Sequence, residues 1–433
     1  MTAHDTSIAT ADRAAAKVRA PSPACLVCRE TAVEVVLDLG ETAPANNFVR
    51  PEELAHTAEP MFPLRVGLCR ACGHVQLTDF VPPGVMFDHY LYMSSASSTL
   101  TNHLHGLART VMERLGLGAG ALVVDVGCND GTLLEGFKLA GVGRRIGVDP
   151  AANLAAGARA KGAEVVTAYF TPEVATALRE RNGPAAAITM TNTFPHIPDL
   201  PSLMRSIDRL LADDGALVLE AHYLVDLMEM CAFDTVYHEH VSYWALKPMV
   251  RLFREHGFDV FDVERLPIHH GQLRAWVCRA GKRPISARVG AMLEDERARG
   301  LDRPEPYRRM AQHIVQVKAD LIGLIRGVRA AGGRVVGYGA PAKGSTLLAY
   351  FGLGASDLDY IADRNALKQG RLTPGSHIPI VAAERILADQ PDMVLLLAWN
   401  FADEIAQQLK PYLDAGGRIV VPVPDVRDIG GSP

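Results

Sequence analysis

The sequence is poor in several features that mark whole classes of protein. Aromatic residues make up only 6% of its 433 positions, and its longest apolar runs, such as Met393 to Trp399, are short. A membrane-spanning helix needs roughly 20 apolar residues in a row, so no membrane span is expected. Positive charge is not in excess either: 44 Lys and Arg stand against 49 Asp and Glu, a formal net charge of −5. The bulk electrostatics that drive nucleic-acid binding are therefore missing. Seven cysteines are too few, and odd in number, for a disulfide scaffold in so long a chain. The N-terminus lacks the apolar core of a signal peptide, so a cytoplasmic location is expected. What remains is an ordinary globular composition, 48% hydrophobic and 21% charged, with room for two or three domains.

The order of elements divides the chain. Residues 1–20 show no sustained hydrophobic period and read as a mobile leader. Residues 21–90 form a small module with short strands near 34–39 and 74–79. Such a module cannot bury a large core alone, so an embedded metal would have a structural purpose. From 91 to 303, strand-like runs at Ala121–Val126, Arg145–Val148, Glu164–Thr167, Ala185–Met190 and Ala216–Glu220 are separated by helical stretches at 151–161 and 200–212. A helix over 99–115 precedes them, and further strand signals lie at Asp259–Val263 and Leu273–Arg279. That alternation predicts a doubly wound α/β sheet. Residues 304–331 keep apolar positions at helical spacing (Ile314, Val317, Leu321, Leu324, Ile325, Val328), and Gly332-Gly333 stops the helix. A second strand–glycine–helix unit begins at Arg334-Val-Val-Gly-Tyr-Gly339, with strands expected at 358–362, 392–398 and 417–423. Val123-Val-Asp-Val-Gly127 and Val335-Val-Gly-Tyr-Gly339 lie 212 residues apart in equivalent places. They point to a degenerate duplication of a Rossmann-like fold.

Four cysteines are paired: Cys25-Leu-Val-Cys28 and Cys69-Arg-Ala-Cys72, with forty residues between the pairs. Two such knuckles supply the four soft ligands of a tetrahedral Zn²⁺ site, and four thiolates leave no open position for catalysis. The competing reading is reduced cysteines or one redox pair, but neither pair opens a helix after a strand. Cys128, Cys231 and Cys278 read as lone thiols.

Asp125-Val-Gly127-Cys-Asn129-Asp-Gly131 falls between a strand and a helix, where a glycine turn lets a ligand approach the backbone. The spacing is not the G-x-G-x-x-G of dinucleotide binders. Asp149, at the end of the next strand, is placed to accept ribose hydroxyls. This pattern resembles that of class I S-adenosylmethionine-dependent methyltransferases; a NAD site or an empty fold is the alternative. Asn192-Thr-Phe-Pro-His196-Ile-Pro follows a later strand. Tyr237-His238-Glu239-His240 gathers a base of near-neutral pKa with proton donors and acceptors. His238-Glu239-His240 lacks the spacing of helical zinc hydrolases. Tyr90-Leu-Tyr92-Met-Ser94 is a weaker signal alone. Lys343, after the second glycine turn, is read as neutralising one phosphate charge, with a surface lysine as the bland alternative.

Taken in order, the two C-x-x-C pairs, Y-x-Y-x-S-S-A-S-S, D-V-G-C-N-D-G, N-T-F-P-H-I-P, Y-H-E-H-V-S-Y, G-Y-G-A-P-A-K-G, Lys368-Gln-Gly-Arg-Leu-Thr-Pro374 and Ala398-Trp-Asn400 resemble the sugar C-methyltransferases of deoxysugar pathways, over about residues 21–425. The resemblance implies a three-domain monomer in antibiotic sugar assembly. It would have a zinc module, a class I methyltransferase domain and a C-terminal Rossmann-like domain at 304–433 that anchors the nucleotide diphosphate. Its substrate would be a nucleoside-diphosphate (dTDP first) 4-keto-6-deoxyhexose, methylated beside the ketone. His240 would be the base, with Tyr90, His196, Tyr237 and Glu239 around the ketone. The cofactor would lie on Asp125, Gly127, Asn129, Gly131, Asp149 and Asn192, and the substrate on Tyr92, Gly339, Lys343 and Asn400. The chain departs at Pro267-Ile-His269-His270-Gly271, where the family has His-Gly-Gly. Two rivals keep the fold: N- or O-methylation, and NAD(P)-dependent oxidation. A zinc-module nucleic-acid binder is a different class, disfavoured by the charge balance and by the lack of a basic cluster beside the knuckles.

Overall fold

The computed structural model describes residues 24–430 apart from 55, 57, 88–91 and 269–270. The leader, Tyr90 and the His269-His270 departure therefore lie outside the described residues.

Three strands near the N-terminus, β1 (Val33–Thr42), β2 (Phe62–Cys69) and β3 (Val75–Leu77), form an antiparallel sheet. The central unit supplies β4 (Leu122–Val126), β5 (Arg144–Val148), β6 (Glu164–Val166), β7 (Ala185–Thr191) and β8 (Leu211–His222). Next comes β9 (Ser242–Tyr243), which leaves the central unit and pairs antiparallel with β3. The module read as residues 21–90 thus completes its sheet with a strand from far along the chain. Finally β10 (Phe258–Leu266) and β11 (Gln272–Arg279) close the central sheet as an antiparallel edge, in the order β10-β11-β8-β7-β4-β5-β6.

The third sheet contains β12 (Val335–Tyr338), β13 (Ile361–Asp363), β14 (Ile380–Ala382), β15 (Met393–Leu396), β16 (Ile419–Val421) and β17 (Arg427–Ile429), ordered β14-β13-β12-β15-β16-β17. In both large sheets the order reverses at the strand before a glycine turn, β4 and β12. Ligands in such sheets bind outside the carboxyl ends at that reversal. Every residue of β4 is buried, as a strand covered on both faces requires.

The helix Pro304–Ala330 buries Tyr307, Ile314, Val317, Leu321 and Ile325 along one stripe, at the spacing the sequence predicts. β8 extends beyond its expected end at Glu220 and so reaches His222. One continuous apolar core runs from Cys25 and Leu68 through Val124 and Leu219 to Leu395 and Val420. The small N-terminal sheet thereby draws its burial from the whole molecule.

Candidate active site and metal centre

The four paired cysteines converge. Their Sγ atoms all lie within 4.8 Å of one another, with Cys25–Cys72 at 3.6 Å and Cys28–Cys69 at 3.5 Å. Zinc–sulfur bonds of about 2.3 Å at tetrahedral angles place sulfurs about 3.8 Å apart. Each knuckle closes in the same way, on a left-handed residue just after its second cysteine: Arg29 N donates to Cys25 O and Gly73 N to Cys69 O. The donor set fits a closed structural Zn²⁺ site.

A cavity of about 360 Å³ opens at the carboxyl ends of β4, β5 and β7. Asp125, Gly127, Asn129, Asp149, Asn192 and His196 line it together with Tyr92, Leu100, Phe170 and Leu203. Gly127 has φ +75°, and a Cβ there would lie 2.0 Å from Thr193 Oγ1, so only glycine fits the turn. The Asp149 oxygens accept one backbone N–H each, from Asn129 and Ala151, both at 2.8 Å. Burial raises the Asp149 pKa, and those two N–H groups oppose the rise. Each oxygen keeps a lone pair for a hydroxyl donor. Asp125 is pushed up to about 7 by burial, although Thr189 Oγ1 donates to it at 2.7 Å. A glycine cradle, a strand-end carboxylate and an apolar wall together fit S-adenosylmethionine.

Two of the residues expected to meet the cofactor have other work. Gly131 does not line the cavity; a Cβ there would sit 2.8 Å from Ala158 Cα, so its place is set by helix packing. The Asn129 side chain is used inside the protein: Nδ2 donates to Tyr92 O at 3.0 Å and Oδ1 accepts from Ser94 N at 3.0 Å. Asp130 takes Ser95 N at 3.1 Å. These bonds explain the tyrosine–serine run, which is strapped onto the glycine turn.

Beyond the cavity lies a stack of rings. His196 packs between Phe87 (5.4 Å between centroids) and His240 (5.2 Å). His240 in turn meets Tyr237 at 3.9 Å and His222 at 4.9 Å. Burial lowers both His196 and His240 to about 3, so both are neutral. Nδ1 of His240 lies 2.8 Å from Thr235 O, an acceptor only, which puts the proton on Nδ1 and the lone pair on Nε2. Burial holds the Tyr237 phenol well above its usual pKa, so it remains a donor.

Glu239 is buried and accepts from Asn46 Nδ2 at 2.7 Å; like Tyr237 and His240, it does not line the cofactor cavity itself. Lys343 is neither a surface cation nor open at a rim: it is 8% exposed, with Nζ 3.8 Å over the Trp399 ring. Burial lowers it to about 7 against the pull of Asp234, which accepts from Trp399 Nε1 at 2.6 Å. Gly339 (φ +80°) abuts Ala398, and Asn400 follows Trp399, so these three do gather at the edge of the third sheet. Sequence reasoning missed His222, whose only signal was its place two residues past an expected strand end. It also missed Asn46 and Gln272, whose Nε2 donates to Asn192 Oδ1 at 2.7 Å. Neither of these carries a local signal.

Family models match three stretches: a zinc binding domain at residues 25–87, a methyltransferase domain at 100–263, and a C-methyltransferase C-terminal domain at 267–424. The C-methyltransferase NovU of Streptomyces niveus is 40% identical over 413 residues, covering 95% of this chain and 98% of that one. A ubiquinone biosynthesis O-methyltransferase of Xanthomonas oryzae pv. oryzae is 37% identical over 112 residues, 25% of this chain and 46% of that one. Among solved structures, the magnesium protoporphyrin IX methyltransferase of Synechocystis PCC 6803 with bound SAM aligns at 16% identity and TM-score 0.31, over 42% of this chain and 79% of that one. With its metal centre, its cofactor cavity and a relative matched from end to end, the chain belongs to the S-adenosylmethionine-dependent C-methyltransferases.

Proposed function

We propose that this C-methyltransferase acts on a nucleoside-diphosphate 4-keto-6-deoxyhexose, dTDP-linked in the first instance, at a carbon next to the ketone. An aliphatic C–H is not nucleophilic, so the acceptor carbon must first lose a proton to a base while its ketone oxygen gains charge. The observation that carries the reading is the tautomer of His240: Thr235 O holds the Nδ1 proton, and Nε2 is free to take one. His196 and Tyr237, both pressed against His240, are the donors this reading assigns to the developing oxyanion. A positioned donor to that oxygen contributes about 3–4 kcal/mol in the transition state.

Bound S-adenosylmethionine supplies an electrophilic methyl group. Asp149 and the Gly127 turn would hold it, while the apolar wall keeps water from the forming carbanion. The imidazolium at His240 is stabilised by the enolate beside it, in a low-dielectric site where opposite charges attract strongly. Glu239, tied to Asn46, orients this segment rather than touching the ketone. Gly339 and Asn400 offer the third sheet's edge to the nucleotide, and Lys343 lies just beneath.

Incubation of the protein with dTDP-4-keto-6-deoxyglucose and related 4-keto sugars in deuterated water tests the reading. Deuterium is expected to enter the carbon next to the ketone, and His240→Gln is expected to abolish both exchange and turnover with cofactor affinity retained. Methylation without any exchange would point to nitrogen or oxygen as the acceptor instead.

A further inference from the structure

The segment that carries His240 rests on more than the cofactor sheet. Two residues after His240 the chain enters β9, where Tyr243 pairs with Val75 and Ser242 with Gln76 of β3. Leu77 N also donates to Val241 O at 2.9 Å. β3 starts three residues after Cys72, so the base-bearing strand is hydrogen-bonded to a strand that grows out of one zinc knuckle.

Gln76 connects this strand to the other knuckle. It is fully buried, and its Oε1 accepts from Leu26 N at 2.7 Å. Its Nε2 donates to Ala24 O at 3.4 Å and to Leu77 O at 3.3 Å. Ala24 and Leu26 are the two neighbours of Cys25. One side chain thus grips the backbone on both sides of a metal ligand, while its own backbone faces the strand next to His240. A second link runs alongside: His74 Nε2 lies 3.2 Å from Ser242 Oγ, and the His74 ring packs on Trp244 at 4.6 Å. The cofactor cavity, by contrast, takes only Pro83 and Phe87 as lining from the described residues between 24 and 87.

We infer that Gln76 is a positioning residue that ties the geometry of the cysteine knuckles to His240, so that carbon deprotonation depends on a formed metal site while cofactor binding does not. Loss of the Leu26 N–Gln76 bond frees the Cys25 knuckle from β3, and β9 then loses the register that aims Nε2. The inference rests on His240 as the base.

The test compares wild type, Gln76→Leu, Ser242→Ala and His240→Gln as zinc-loaded full-length proteins. Zinc content is measured by atomic absorption and S-adenosylmethionine affinity by calorimetry. Deuterium exchange into dTDP-4-keto-6-deoxyglucose is followed with S-adenosylhomocysteine bound. For Gln76→Leu, exchange and kcat are expected to fall together at least 30-fold, with cofactor Kd and sugar-nucleotide KM within threefold of wild type. Ser242→Ala is expected to show the same split at 3- to 10-fold. Stripping zinc from wild type with a chelator should abolish exchange reversibly and leave cofactor binding in place, a result that stands even if Gln76→Leu does not fold. Wild-type exchange in Gln76→Leu, or cofactor binding lost in parallel with exchange, would overturn the coupling. Exchange that survives in His240→Gln would instead remove the base assignment on which it rests.

Discussion

Protonation gives the sharpest test at the scale of single residues. His196 and His240 are neutral in the fold, with pKa values lowered to about 3 by burial, against an unfolded value near 6.5. The unfolded chain therefore binds more protons than the native one between those two values. The sign follows: the stability contribution is complete above pH 6.5 and is lost as pH falls towards 3. Urea midpoints measured from pH 7 to pH 4 should drop steeply, and less steeply in His196→Gln. For the same reason neither histidine puts an acid limb near pH 6.5 on the kcat/KM profile of the free enzyme. Gly127 offers a second test. Alanine there meets Thr193 at a left-handed φ, so Gly127→Ala should weaken S-adenosylmethionine binding at least tenfold by calorimetry, about 1.4 kcal/mol or more.

At the scale of elements, the strands and helices beside the cavity were legible because their apolar periods are regular. The helix expected over 99–115 is Ser98–Leu115, capped by the Ser97 side chain on Leu100 N at 3.3 Å. Ser97→Ala should lower the unfolding free energy by about 1 kcal/mol in urea titration. The conformation of the short segment Phe233–Thr235 before His240 could not be read. Its conformation is set by contacts from elsewhere: Thr346 Oγ1 donates to Val236 O at 3.0 Å, and Trp399 to Asp234. The burial of Lys343 was hidden from the sequence for the same reason. A lysine after a glycine turn looks free to meet phosphate until the tryptophan beneath it is known. Trp399→Phe removes the indole donor from the buried Asp234 carboxylate, and thermal unfolding should report a loss of about 1.5–3 kcal/mol.

At the scale of the whole molecule, the three sheets share one core and meet at residues 233–243. The ordered set of motifs made the family legible, yet no motif spacing shows that β9 belongs to the first sheet. Metal and cofactor therefore stabilise different parts of a single structure. Saturation with S-adenosylmethionine at a hundred times its Kd should add about 2.7 kcal/mol to unfolding, and chelation of zinc should lower the melting temperature by scanning calorimetry whether or not cofactor is present. The strand exchange at β9 bears on attempts to build hybrids within this family. A transplanted N-terminal module would arrive with an open edge cut for its own partner strand. Successful chimeras would have to carry residues 233–244 across with it, and the breakpoints that look natural in the linear sequence would part β9 from β3.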